Sequence, residues 1–217
     1  MRRALPVVLT GFIAIIAMVL GWYAYSQRAL PAQINVTASK QEQLVRFHSP
    51  TVGNASARVT IVEFFDPACE TCRAFHPAVK EILRAYPEDV RLVLRYAPFH
   101  KGSDVVIKLL EAAKVQGKFL PVLDAVLEAQ PQWASHTRPN TELAFLAAEK
   151  VGLNMERARV DMISPSVSKI LEQEIQDITA LKVTKTPTFF VNGKPLPSFG
   201  EDQLRLLVKQ ELQNTKK

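Results

Sequence analysis

VTIVEFFDPACETCRAF, residues 59–75, carries the change of period on which the fold turns. Its first half, Val59 to Phe65, is a short run of β-branched and aromatic residues and reads as a buried strand. Asp66-Pro67-Ala68 follows, and Cys69 opens the next element. From Cys69 the pattern becomes helical, with Phe75, Val79, Ile82 and Tyr86 on one stripe, and Tyr86-Pro87 ends it. A second strand-like run follows at Val90 to Tyr96. Strand, helix and strand in this order form a right-handed βαβ unit, so the two strands are expected to be parallel.

Outward from this unit the chain turns helical for a long stretch. Asp104 to Val115, Leu120 to Ala129 and Thr141 to Val151 place apolar residues at helical spacing, with Asn140 as an N-cap for the third. Val167, Ile170, Leu171, Ile175, Ile178 and Leu181 mark another helix. The β pattern returns at Thr188 to Val191 and, after Asn192-Gly193, at Lys194 to Leu196. Asn-Gly suits a type I′ hairpin turn. A last amphipathic helix is expected from Asp202 to Leu212. The layout βαβ, helical block, ββα defines an α/β domain over 58–217, with a helical insertion at about 100–182.

The 217 residues contain two cysteines, three positions apart. A disulfide scaffold would use more cysteines at wider spacing, so this pair is a site. Cys69 falls at a helix start, where free backbone N–H groups and the positive end of the dipole stabilise a thiolate. Cys72, one turn in, suits a resolving thiol that attacks a mixed disulfide formed at Cys69. Glu63 shares a strand face with Ile61 and Phe65. A carboxyl on that apolar face should have a raised pKa and can exchange a proton with Cys72; the alternative is an edge position reaching solvent. Thr186-Pro187 precedes the hairpin, and the proline there is either a plain strand-start residue or a cis peptide. A metal reading is also open: Cys69, Cys72 and His76 could share a helix face, with His100 as a distant fourth ligand, and soft thiolates suit Cu(I). The net charge of +6 is spread along the chain without a basic face interleaved with aromatics, which speaks against nucleic acid.

The N-terminus has its own signature. Arg2 and Arg3 precede an uncharged run from Ala4 to Tyr25, with Trp22, Tyr23 and Tyr25 at one end. At ~1.5 Å per residue the run spans about 33 Å, enough to cross a bilayer core. Residues 1–25 are therefore expected to be a single transmembrane anchor, the rival being a cleaved signal peptide. The arginine balance favours a cytoplasmic N-terminus. Residues 26–57 read as a tether leading into the domain.

VEFFDPACETCRAF, the later KTPTFFVNG and the helical block between them resemble DsbA-like thiol:disulfide oxidoreductases of the thioredoxin superfamily, over roughly Val59 to Leu212. The resemblance implies a thioredoxin fold with a helical insertion, a buried acid at Glu63, a cis-proline at Pro187 beside the cysteines, and substrate pairing along the backbone at Thr186. It implies protein thiols and disulfides of exported proteins as substrates, a membrane redox partner, and no cofactor. With the anchor, it places the chain in a bacterial inner membrane as a single-pass protein, catalytic domain on the periplasmic side. Two features depart from the pattern. The dipeptide is Glu70-Thr71, where strongly oxidising members carry Pro-His, and a carboxylate there should oppose ionisation of Cys69. Typical DsbA is also soluble. Oxidase, isomerase and reductase directions stay open, as does a thiol reductase role in cytochrome c maturation; a binding or chaperone domain would not need the intact pair. Full-length protein is expected to remain in the membrane fraction after carbonate washing, and a chain starting near Ser26 to be soluble. Recovery of a trimmed, soluble product would identify a cleaved signal peptide.

Overall fold

The computed structural model describes residues 18–20, 22 and 42–215. Residues 18–20 and 22 are helical and exposed. The rest of the expected anchor and residues 26–41 of the tether lie outside the described residues. Among the described residues no helix is long and apolar enough to cross a membrane.

The described residues 42–215 belong to one compact unit. Among them the sheet has five strands: β1 (Thr51–Val52), β2 (Val59–Phe65), β3 (Val90–Tyr96), β4 (Thr188–Val191) and β5 (Lys194–Pro195). Their spatial order is β1-β3-β2-β4-β5. β2 pairs in parallel with β3 and antiparallel with β4, so the strand that leads to the cysteines is central. The βαβ expectation holds, through helix α1 (Glu70–Ala85). Strands buried on both faces read as near-continuous apolar runs, as VTIVEFF and VRLVLRY nearly do.

Between β3 and β4 lie α2 (Ser103–Val115), α3 (Phe119–Glu128), α4 (Gln130–Trp133), α5 (Thr141–Lys150), α6 (Met155–Met162) and α7 (Pro165–Ala180); α8 (Glu201–Asn214) closes the unit. Helix α7 starts where its sequence says it should: Ser164 accepts from the Val167 N–H and Pro165 takes the first helical position. Asn140 precedes α5 as expected but makes no side-chain capping bond. At the β4–β5 hairpin, Asn192 and Gly193 have φ of 48° and 78°, the positive pair that a type I′ turn needs.

Strand alternation divides the core. Ile61, Phe65, Leu92 and Leu94 pack with α1 and α8 through Phe75, Val79, Ile82, Leu204 and Val208. Val62, Phe64, Val93 and Phe190 form the opposite layer with Ile178, Leu181, Val183 and Leu44. Leu44 belongs to the stretch read as tether and domain entry, and from residue 42 that stretch packs on the domain. An ionic cluster holds it there. Arg95, fully buried on β3, donates to Glu174 at 3.0 Å and to Asp177 at 2.6 Å, and also to the Gln43 carbonyl. Arg46 reaches Asp177 at 2.7 Å and His48 reaches Glu174 at 2.9 Å. One buried guanidinium thus fastens β3, α7 and the lead-in segment together.

Burial pushes the Asp177 carboxyl up, but hydrogen bonds from Arg46 and Arg95 outweigh it, and its pKa is lowered. A depressed carboxyl stabilises the fold above the unfolded-state value near ~4 and loses that contribution as pH falls through its folded-state value. Replacing Arg95 by Met leaves buried carboxylates without their partner and is expected to cost about 3–5 kcal/mol at neutral pH. Chemical denaturation checks this, and the gap between the proteins should narrow below about pH 4 as Asp177 is protonated.

Candidate active site

β2 ends at the C-terminal end of the sheet's central strand, where α1 begins, and Asp66 makes the turn. Its carboxylate is fully buried and accepts the Ala68 N–H at 2.9 Å, the Phe99 N–H at 2.8 Å and the His100 N–H at 3.0 Å. It also takes His100 Nδ1 at 2.8 Å and the Ser103 hydroxyl. One side chain therefore fixes the β2–α1 turn to the loop after β3. Its backbone carbonyl accepts the Cys69 N–H at 3.0 Å. On the other side, buried Gln130 of α4 donates from Nε2 to the carbonyls of Pro67 (2.8 Å) and Cys69 (3.0 Å), while its Oε1 accepts from Arg73 at 3.0 Å.

This frame places Cys69 at the N-cap of α1. Both cysteines are free thiols. Cys69 keeps 5% of its surface exposed and Cys72 none, so an incoming sulfur meets Cys69 first. The Cys69 thiol donates to the Thr186 carbonyl at 3.3 Å. Its pKa is lowered to about 5, chiefly by the hydrogen bond from the Cys72 thiol; burial opposes this, and the Thr186 side chain and the N–H groups of Cys72 and Thr71 add to it. Those two N–H groups are the donors that an N-cap side chain normally satisfies, so the thiolate sulfur stands where a capping oxygen would. Cys72 moves the opposite way. Burial, then its bond to Cys69, then the charge of Glu63 push its thiol up. The two thiols, one turn apart, are held in different protonation states at neutral pH.

Glu63 is 3% exposed, in the central strand, opposite Leu94 of β3 and Phe189 of β4, so the edge alternative is excluded. Burial, with the Cys69 charge second, raises its pKa to about 8. The Thr186-Pro187 peptide is cis. Thus Cys69, Cys72, Glu63, Thr186 and Pro187 lie in one neighbourhood, brought there by the β2–α1 turn and the segment entering β4.

The Glu70 carboxylate turns to His136 Nε2 at 2.9 Å, and the Cys69 pKa is lowered with Glu70 beside it. His76 does not join the cysteines, because its Nε2 pairs with Asp124 at 2.6 Å. Among the described residues no three His, Cys, Asp or Glu side chains gather as a metal site requires. Asp66, Gln130, Arg73 and His136 were not singled out from the sequence. The Asp-Pro pair ahead of the cysteine is the local signal that could have found Asp66; Gln130 carries no local signal, because its partners are 61 and 63 positions away.

The fold is that of the thioredoxin class, with a block of helices between β3 and β4. Residues 47–210 match the thioredoxin family, and the chain belongs to that family. It is similar to the structure of a thioredoxin-like oxidoreductase from Silicibacter pomeroyi, at 31% identity, TM-score 0.68, covering 78% of this chain and 96% of that one. A Rickettsia typhi protein whose name describes a protein-disulfide oxidoreductase is 24% identical over 76% of this chain and 63% of that protein. The Na(+)/H(+) antiporter NhaA of Herminiimonas arsenicoxydans is 33% identical over 66% of this chain. The chain spans about a fifth of the length of such antiporter relatives, 22% in that case.

Glu63→Gln tests the buried acid. A carboxyl whose pKa is raised on folding penalises the native state progressively from the unfolded value near ~4.3 up to about 8. The Gln variant should therefore match wild type near pH 4 and become more stable above it, by up to about 1.4 kcal/mol per pH unit. Resolution of a mixed disulfide by Cys72 should slow in the same variant. Equal stability at pH 4 and pH 8 would show that Glu63 is not a buried neutral acid.

Proposed function

We propose that the chain is a thiol–disulfide exchange enzyme acting on exported proteins, with Cys69 as the attacking thiolate and Cys72 as the resolving thiol. The observation that carries this reading is the opposite perturbation of two thiols in one helical turn. In the reducing sense, Cys69 S⁻ attacks a substrate disulfide, forms a mixed disulfide and releases one substrate thiolate. With the Cys69 charge consumed in the mixed disulfide, one of the two causes that keep Glu63 protonated is gone; Cys72 gives its proton to the Glu63 carboxyl in its ionised form and attacks the Cys69 sulfur. The second substrate thiolate leaves, and two electrons have passed from the pair to the substrate.

The same steps run backwards when the Cys69–Cys72 disulfide oxidises a substrate dithiol. Stabilising the Cys69 thiolate stabilises the reduced pair, so the oxidising direction is favoured. The thiolate, though, is the better leaving group and the weaker nucleophile, which fits a protein that is attacked rather than one that attacks. A membrane redox partner would then restore the disulfide. Thr186, whose carbonyl lies beside Cys69, is suited to pair with an extended substrate backbone next to Pro187. With residues 1–25 as a single-pass anchor in a bacterial inner membrane, the domain would work in the periplasm.

Trapping tests the roles. Cys72→Ser should accumulate a mixed disulfide with a reduced, unfolded protein once Cys69 is activated, and Cys69→Ser should accumulate none. The oxidised wild-type chain should introduce disulfides into that protein faster than glutathione disulfide does. Equal trapping through either cysteine would contradict the assignment.

A further inference from the structure

The turn that carries the reactive sulfur is tied through Asp66 to a histidine outside the C-x-x-C. His100 sits in the loop between β3 and α2, and Asp66 holds it twice, through its backbone N–H at 3.0 Å and through Nδ1 at 2.8 Å. With Nδ1 fixed as the donor to a carboxylate, the ring's orientation and tautomer are set, and Nε2 is the nitrogen left to take up a proton. Its side chain is 28% exposed, so the ring lies at the rim. Its centroid is 5.6 Å from that of His136, which pairs with Glu70, the residue next to Cys69. The Asp66 oxygens that hold His100 and the Ala68 N–H belong to one carboxylate, so the ring and the cysteine turn share a rigid anchor.

We propose that His100 is a positioning and charge-supplying residue for Cys69, an Asp66-oriented imidazolium that stabilises the thiolate and so shifts the dithiol–disulfide equilibrium toward the dithiol. The inference rests on the exchange chemistry proposed for Cys69. The charged and titratable groups facing His100 are Asp66 from the β2–α1 turn, Cys69 and Glu70 at the start of α1, and His136 after α4; Lys101 follows it in its own loop and is exposed. Burial opposes protonation of the ring, but the hydrogen bond and charge of Asp66, then the charges of Cys69 and Glu70, raise its pKa overall. Three anions and one further imidazole surround it, so the balance favours the cation while the thiolate is present. Forming the disulfide removes one of the three. His100 should thus bind its proton more tightly in the reduced chain than in the oxidised one, and that difference is the coupling between ring and sulfur.

The test compares full-length wild type, His100→Gln and His136→Ala. Gln can still donate to Asp66 but never carries charge, which separates orientation from electrostatics. In His100→Gln the pH midpoint of Cys69 alkylation should rise by about 0.5–1 unit, and the proportion of reduced chain at equilibrium with glutathione should fall about 3- to 10-fold, or ~15–30 mV. His136→Ala should move either quantity less. An NMR titration of wild type needs no variant: the His100 ring should titrate at higher pH in the reduced chain than in the oxidised chain. Unchanged alkylation and equilibrium in His100→Gln, or one His100 midpoint in both redox states, would overturn the proposal while leaving the exchange reading intact. A wild-type Cys69 midpoint at the free-thiol value would instead overturn both.

Discussion

The sulfur of Cys69 stands at the open end of α1, where the backbone offers N–H groups that no side-chain oxygen satisfies. Everything nearby serves that one placement. The parallel β2–β3 pair sends the chain out at the strand ends, Asp66 turns it, Gln130 ties down the turn's carbonyls, and the segment before β4 brings Thr186 alongside. A thiol one turn deeper loses the exposed N–H groups and meets burial, the bond to Cys69 and the charge of Glu63 instead, which is the situation of Cys72. The asymmetry within a single turn of helix therefore follows from helix geometry together with the bond between the two thiols.

Glu63 extends this logic into the core. A carboxyl in the central strand is costly when ionised, so the strand holds it protonated over much of the physiological range. It faces the layer that contains Cys72, and a carboxyl that titrates near 8 there can give a proton as the acid and take one as the carboxylate. The ionic cluster around Arg95 lies on the other side of the same sheet. That cluster pairs its buried charge and fastens the lead-in segment, whereas burial keeps Glu63 neutral.

Much of this was readable from the chain alone, and the reasons are local. Val59 to Phe65, Val90 to Tyr96, the stripe from Phe75 to Ile82 and Asn192-Gly193 each declare their conformation within a few residues. Cys69, Cys72 and Glu63 follow from position on those elements. What stayed hidden has no local signature. β1 is two residues long and α4 four, too short for a period to show. α6, MERARVDM, is mostly polar and buries only Ala158 and Met162. Arg95, Glu174 and Asp177 are 79 to 82 positions apart in their pairings, and the seat of Arg46 and His48 depends on that cluster having formed. The partner of Glu70 was hidden for the same reason: His136, which takes its carboxylate, lies beyond α4 and far along the chain from the cysteine helix.

The central claim is that one thiol of the pair is a thiolate at neutral pH because of where it sits. Ultraviolet absorbance of the thiolate, followed in the fully reduced chain from acid to alkaline pH, measures this directly. The account predicts a single thiolate appearing with a midpoint near 5, with the second thiol staying protonated well into the alkaline range. Two thiolates appearing together near the free-cysteine value of about 8.5 would contradict it.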